Sequence, residues 1–328
     1  MLILGKNEIQ SIFTMKDAVE SVKKAFEIYT KGQAHIPLRT RIEMAKHEGV
    51  GLFMPGYVPD LNLGGVKVVG VFPKNVDLGK PAVPATMVLT DARTGEVCAL
   101  LDGTYLTELR TGAASGAATD LLANPQAKIG AIVGTGGQAL SQIEALLAVR
   151  KLETLYVSGR NFEKTKAFVE NVKKELQEPG LEILAKTSVE DAVKEADVIT
   201  LVTTSETPVL KGEWLKPGVH INGVGSYRPD MREFDEGVIQ RAQLIFVDSK
   251  SAALSEAGDF VIPIQAGMKA DFISGELGEL MVHPERGRKQ ETDISLFKSV
   301  GLAVQDIVTA GAIYEKALAN GLGRFIEI

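Results

Sequence analysis

Cysteine and tryptophan occur once each in 328 residues, as Cys98 and Trp214. A single cysteine cannot close an intramolecular disulfide, so a disulfide-stapled scaffold is excluded. Long apolar runs are also missing. None approaches the ~20 uninterrupted residues that a membrane-spanning helix needs. The opening stretch, MLILGKNEIQ, lacks the basic-then-apolar layout of a secretory signal, and the expectation is a cytoplasmic protein with no membrane partner. Positive charge is not in excess either. Lys and Arg number 36 against 42 Asp and Glu, a net charge of −6, which leaves no basic field for nucleic acid. The four histidines, His35, His47, His220 and His283, show no metal-ligand spacing, and no metal is expected. What is present is ordinary: 45% hydrophobic and 24% charged residues, enough chain for about two globular domains.

The first helix is placed by Thr14 as cap, Asp17 three residues on, and apolar Val19, Val22, Phe26 and Tyr29. Residues 37–100 then read as short strands separated by Pro, Gly and Asn, with DARTGEV (91–97) as a hairpin turn. This predicts an α+β N-terminal third with an antiparallel sheet. A helix follows from about residue 104 to Asn124-Pro125. Its small residues Gly112, Ala114, Gly116 and Ala118 allow either tight helix packing or close approach of a ligand. Beyond Pro125 the rhythm becomes strand, helix, strand, with apolar runs at 128–133, 152–157, 181–186, 197–202, 219–224 and 243–248. Such alternation predicts a parallel sheet covered on both faces. The stretch from Thr292 onward reads as helical, through Leu302, Val304, Ile307, Val308 and Ile313, and is expected to rejoin the first domain. The predicted domains are therefore 1–122 with 305–328, and 123–304.

The most specific motif is KIGAIVGTGGQALSQIEAL, residues 128–146. A strand ends at Val133, and Gly134, Thr135, Gly136, Gly137, Gln138 and Ala139 lead into a helix. This is the G-x-G-x-x-A form of the dinucleotide fingerprint. Gly134 allows the turn, Gly136 lets the backbone approach a pyrophosphate, and Ala139 allows close helix–strand packing. Its place at the start of a βαβ series is the context that gives the pattern weight. The second strand ends in Ser158-Gly159-Arg160-Asn161, without the acid that usually accepts from an NAD ribose. A carboxylate there would repel a 2′-phosphate, whereas Arg160 and Ser158 would bind one, so NADP(H) is favoured and NAD(H) remains possible.

These residues, together with PLRT (37–40), GGVKVV (64–69), DGTYLTELRTGAAS (102–115), NGVGSYRPDMREFD (222–235) and DISLFKSVGLAVQD (293–306), resemble the ornithine cyclodeaminase/mu-crystallin family over nearly the whole chain. The resemblance implies a Rossmann domain plus a discontinuous α+β substrate and dimerisation domain, a homodimer, and hydride transfer between nicotinamide and an amino or imino acid. It assigns the substrate carboxylate to Arg39 and Arg110 and the active-site lysine to Lys67. Two guanidinium forks suit a carboxylate, and a partly desolvated lysine beside them suits proton donation. Arg41 is the alternative to Arg39 that the residues alone allow. The resemblance further implies cofactor contacts at Thr111, Val224, Gly225, Lys298 and Val300.

One departure is informative. Cyclodeaminases carry an acid/base aspartate in the loop matching NGVGSYRPDMREFD, and Tyr227 stands at that position here; Asp230 follows the proline. Loss of this carboxylate hinders deprotonation of an ammonium more than reduction of a preformed imine. The expected activity is therefore NADPH-dependent reduction of cyclic α-imino acids. The alternatives are an alanine dehydrogenase-like enzyme, an ornithine cyclodeaminase and a non-catalytic NADPH-binding protein. Met54, Tyr57 and Tyr227 are candidates for the pocket lining. His220 is expected in the core, Cys98 as a buried small hydrophobe, Trp214 as a packing anchor, and Glu276 and Glu279 on an exposed helix face.

Overall fold

The computed structural model of the chain describes residues 1–327. The chain divides into two compact units, Met1–Arg110 together with the chain from Leu302 onward, and Thr111–Gly301.

The first unit begins with β1 (Leu2–Leu4), α1 (Lys6–Ile12) and α2 (Met15–Thr30), followed by β2 (Thr40–Met44), β3 (Gly49–Val58), β4 (Leu63–Val71), β5 (Ala85–Asp91) and β6 (Val97–Asp102). The long helix α3 (Gly103–Leu122) comes next. The start of α2 follows from a reciprocal cap. Thr14 Oγ1 accepts from the Asp17 N–H, and the Asp17 carboxylate accepts from the Thr14 N–H at 2.8 Å. Buried Val19, Val22 and Phe26 follow at helical spacing. Helix α1, unforeseen from the sequence, is seven residues long with only Ile9 buried, too short to print a period. The hairpin between β5 and β6 turns where expected, with Gly95 at φ +79°.

Near the end of the chain, α11 (Ala303–Ala319) and β15 (Arg324–Phe325) return to this unit. The sheet runs β15-β1-β6-β5-β4-β3-β2, antiparallel throughout except for the parallel β1–β6 pair. Its core packs Leu52, Met54 and Val69 against Ala303 of α11. Because strand side chains alternate, Lys67 shares this inner face with Val69 and lies opposite Met54 and Met87.

In the second unit, β7 (Ile129–Val133), α4 (Ala139–Val149), β8 (Thr154–Ser158), α5 (Phe162–Leu176), β9 (Glu182–Lys186), α6 (Val189–Val193) and β10 (Val198–Leu201) form the first half. Strand β11 (His220–Gly223), α7 (Glu236–Arg241), β12 (Leu244–Val247), α8 (Lys250–Glu256), α9 (Gly258–Gln265), β13 (Gly275–Glu276), α10 (Glu279–Val282) and β14 (Ser295–Lys298) complete it. All neighbouring strands pair in parallel, in the order β13-β12-β14-β11-β10-β7-β8-β9. The chain runs outward from β7 through β8 to β9, then resumes on the other side of β7 with β10. The carboxyl ends of β7 and β10 are thus the topological switch point, where open parallel sheets bind ligands.

Two sequence expectations change. Residues 295–298, read as part of the last helical stretch, form β14, a central strand between β11 and β12. All four residues are buried, so no alternation marks them as a strand. The division between units falls inside α3, at Arg110/Thr111, and at Gly301/Leu302. Beyond Thr111, α3 serves the second unit: a Cβ at Gly112 would lie 2.4 Å from the Ser141 carbonyl oxygen, and Arg150 donates to the Thr119 and Ala123 carbonyls. The small residue at Gly112 therefore serves tight packing.

Candidate functional site

In the first unit, three elements converge on one carboxylate. Lys67 from β4 is 1% exposed, Arg110 from α3 is 6% exposed and Asp306 from α11 is fully buried. Lys67 Nζ donates to Asp306 Oδ1 at 2.8 Å, and Arg110 Nε donates to the same oxygen at 2.9 Å. The Arg110 Nη1 group donates to Gln305 Oε1 at 2.8 Å. Burial pushes the Lys67 ammonium down to about 7, and the Arg110 and Arg39 charges act in the same direction, while Asp306 opposes them. Arg39, half-buried in the segment before β2, is thus electrostatically part of this cluster. Arg41 is not: it lies exposed on β2 and pairs with Glu43 at 2.7 Å.

With Lys67 protonated, the hydrogen-bonded cluster holds two cations and one anion. Buried charge of one sign in excess is costly, so the cluster suits a further anion, and a small carboxylate is the natural one. Asp306 Oδ2, Gln305 Nε2 and Thr309 Oγ1, within about one turn of α11, are buried and have no hydrogen-bond partner among the described residues. A polar ligand would satisfy them.

In the second unit, the glycine loop has the conformation its residues predict. Gly134 follows β7 at φ +114° and donates its N–H to the Ser158 carbonyl at 2.8 Å. A Cβ on Gly134 would lie 2.7 Å from the Val202 carbonyl oxygen, so no side chain fits there. Gly136 and Gly137 are the opposite case: exposed, with no atom within 4 Å of a Cβ. That open backbone is no packing requirement, and it leaves the space in which a pyrophosphate would sit. Thr135 lines the same turn, 3.3 Å from a Cβ at Gly159. Gln138 is the residue before α4, and Ala139 opens the helix, buried, with its N–H on the Gly136 carbonyl at 2.9 Å. The donor set and the free space fit a dinucleotide.

The other expected cofactor positions divide into three kinds. Arg160 lies exposed just beyond β8, and Thr111 is half-buried on α3. Ser158, 1% exposed, and Asn161, which caps α5 by accepting from the Lys164 N–H at 3.0 Å, already have places in the fold. Lys298 presents no ammonium outward. It is fully buried and pairs with Asp259 at 2.9 Å, so what it offers a ligand is confined to its backbone. The Val300 N–H donates to Asp248 at 2.8 Å.

After β11, the Val224 N–H donates to the Leu201 carbonyl at 3.0 Å, and Gly225 is held by a carboxylate that the sequence did not single out. Glu233, fully buried, accepts from the N–H groups of Thr203 (2.6 Å), Gly225 (2.7 Å) and Ser226 (3.1 Å), which ties the loops after β10 and β11 together. Burial holds the Glu233 carboxyl above its ordinary range, against the pull of Lys298 and the N–H donors. Asp259 in turn accepts from the Glu233 N–H at 2.6 Å. A signal was present for Asp306 and Gln305, two polar residues inside the apolar repeat of α11. Nothing local marks Glu233.

Tyr227, where a cyclodeaminase carries its aspartate, is half-buried, and Asp230 forms a bidentate pair with Arg228 at 3.0 Å. His220 is a core residue, between Ser295 Oγ at 2.9 Å and Asn222 Oδ1 at 3.1 Å, with burial pushing it down to about 3. Cys98 is half-buried on β6, and Trp214 sits in a short 3-10 turn under the Lys211 ammonium. The glutamates expected on an exposed helix face are elsewhere. Glu276 is in β13 and accepts from the Lys250 N–H at 2.9 Å; Glu279 opens α10, accepts from the Glu276 N–H at 3.0 Å and pairs with Arg286. They terminate local backbone rather than face solvent as a pair.

Comparison with known proteins places this geometry. A Δ1-pyrroline-2-carboxylate reductase from Bacillus cereus is 39% identical over 328 residues, covering all of both chains. The structure of Thermococcus litoralis Δ1-pyrroline-2-carboxylate reductase in complex with NADH and L-proline superposes with a TM-score of 0.94 at 41% identity, covering 99% of this chain and 100% of that one. An archaeal alanine dehydrogenase dimer with bound NAD gives a TM-score of 0.90 at 32% identity, covering 100% and 99%. The profile of the ornithine cyclodeaminase/mu-crystallin family matches residues 1–321. The chain belongs to the ornithine cyclodeaminase/mu-crystallin family.

Proposed function

We propose that this chain is an NAD(P)H-dependent oxidoreductase that reduces cyclic α-imino acids, Δ1-pyrroline-2-carboxylate and Δ1-piperideine-2-carboxylate, to L-proline and L-pipecolate. The observation that carries this reading is the buried pair Lys67 and Arg110 on a single oxygen of Asp306, a cluster with cationic charge to spare for a small carboxylate. Arg110 and Arg39 hold the substrate carboxylate, their forks fixing the plane of the adjacent C=N bond. When bound, a nicotinamide dinucleotide supplies the hydride that reduces the imine carbon. Lys67 Nζ holds the proton that the imine nitrogen gains, so the C=N bond becomes CH–NH with one hydride and one proton consumed. A lysine held at about 7 is matched to proton donation near neutral pH.

Absence of the cyclodeaminase carboxylate supports reduction over cyclodeamination, since Tyr227 carries no carboxylate and Asp230 is engaged by Arg228. For the cofactor we propose a preference for NADPH. Its support is the exposed Arg160 after β8 and the lack of an acid at that strand end; Ser158, being buried, contributes little. We further propose a homodimer through the outer face of the first unit's sheet. Register places Phe53, Val66, Val68, Val88 and Leu100 together on that face, away from α11, and Val68 is 39% exposed.

One panel tests the reading: oxidation of NADPH and of NADH with each cyclic imine and with pyruvate plus ammonia, and ammonia release from ornithine. Imine reduction with NADPH in excess over NADH is expected. Ammonia and proline from ornithine without imine reduction would overturn it, reductive amination of pyruvate alone would make it an alanine dehydrogenase, and cofactor binding without turnover would make it a binding protein.

A further inference from the structure

Within the reductase reading, we propose that Asp306 is the positioning residue of the imine site: its Oδ1, shared by Lys67 Nζ and Arg110 Nε, aims both cations and keeps the lysine protonated until the substrate carboxylate arrives. The geometry is specific. The two donors come from β4 and α3, and the one acceptor from α11, at 2.8 and 2.9 Å. Asp306 is fully buried, so bulk water does not screen its charge. Its second oxygen has no hydrogen-bond partner among the described residues, so its accepting capacity is unspent.

The charges around Lys67 make the role more than structural. The groups acting on its ammonium are Arg110 from α3, Arg39 from the segment before β2 and Asp306 from α11. Two are cations, and Asp306 is the only anion among them. Without that carboxylate, a buried ammonium beside two guanidiniums would lose its proton at a lower pH. A substrate carboxylate on the arginines supplies a second negative charge. Binding of the anionic imine then holds that proton on Lys67 rather than drawing it off, until the imine nitrogen takes it.

The test compares wild type with Asp306→Asn and Asp306→Glu. The kcat/KM pH profile is read for imine reduction, and the Lys67 titration is read directly by NMR of 13C-lysine-labelled protein without ligand, assigned with Lys67→Arg. In D306N the Lys67 midpoint and the alkaline limb of kcat/KM are expected to move together to lower pH, by about 1–3 pH units for loss of an adjacent opposite charge. In D306E the midpoint is expected to stay while kcat falls at least about tenfold, the effect of a misplaced donor. A folded D306N in which Lys67 titrates as in wild type overturns the proposal, as does a D306E of undiminished kcat, which also decides the matter if D306N does not fold. A wild-type protein that reduces neither imine refutes the reductase reading, while the NMR titration still reports whether Asp306 governs Lys67.

Discussion

Lys67 and Asp306 are 239 residues apart in the chain, yet the lysine Nζ meets the aspartate Oδ1 at 2.8 Å, both side chains out of reach of solvent. Arg110 shares that oxygen. The cluster joins a strand, a helix and the returning C-terminal helix around one carboxylate, and most of the predicted chemistry hangs on it.

Replacing Lys67 with Met, which keeps the length and removes the proton, should leave cofactor binding unchanged and lower kcat by about 10²–10⁴, the usual worth of a positioned acid or base. Arg110→Met should instead raise KM for the imine more than it lowers kcat, because it removes binding to a carboxylate present in ground and transition states alike. Steady-state kinetics of the two variants would check this, and the opposite split would interchange the assigned roles.

The Lys67 proton should also be visible in stability. Its amine releases the proton at about 7 in the folded chain, against 10.5 for an ordinary lysine. Between those values the unfolded chain binds the extra proton, so this residue's contribution to folding stability rises as pH goes from about 7 to 10.5. Below about 7 the penalty is complete. Denaturant unfolding across this range should show the slope in wild type and a smaller one in K67M.

The two kinds of glycine in the loop should respond differently. Gly136→Ala enters open space and should leave Tm close to wild type while weakening dinucleotide binding at least about tenfold, since a Cβ occupies the ground a phosphate needs. Gly134→Ala, at φ +114° and against the Val202 oxygen, should destabilise the fold itself. Fluorescence titration with NADPH beside thermal unfolding would separate the two. At the next strand end, Arg160→Asp should shift the preference toward NADH; unchanged NADPH kinetics would remove Arg160 from cofactor recognition.

Glu233→Gln puts an amide NH2 among N–H donors that now meet carboxylate oxygens. Mismatched buried hydrogen bonds of this kind cost about 1–3 kcal/mol. Chemical denaturation should show that loss, together with weaker dinucleotide binding, because the loops after β10 and β11 lose their common anchor.

Val68→Asp, on the outer sheet face, should yield a monomer in sedimentation or light scattering if that face is the dimer interface. A dimer that survives the charge would place the interface elsewhere.

Much of this protein was legible in its sequence, and for a local reason. The cap at Thr14, the turn before Gly95, the strands from β7 to β12 and the glycine loop each depend on residues within a few positions of one another, where helix and strand periods and φ preferences act. The cationic trio Arg39, Lys67 and Arg110 was also visible, as motifs of a recognisable family. Tertiary structure decided what those local rules do not reach. Strand β14 is buried on both faces and carries no alternation, so only its slot between β11 and β12 makes it a strand. The Lys298 ammonium is tied to Asp259, 39 residues earlier in the chain, a pairing that no local pattern announces. Nothing around Glu233 in the sequence marks it, and Asp306 stands as a charge inside an apolar helix whose partners lie on β4 and α3. A buried charge is defined by the partner that neutralises it, and in this chain those partners come from other elements, up to hundreds of residues away.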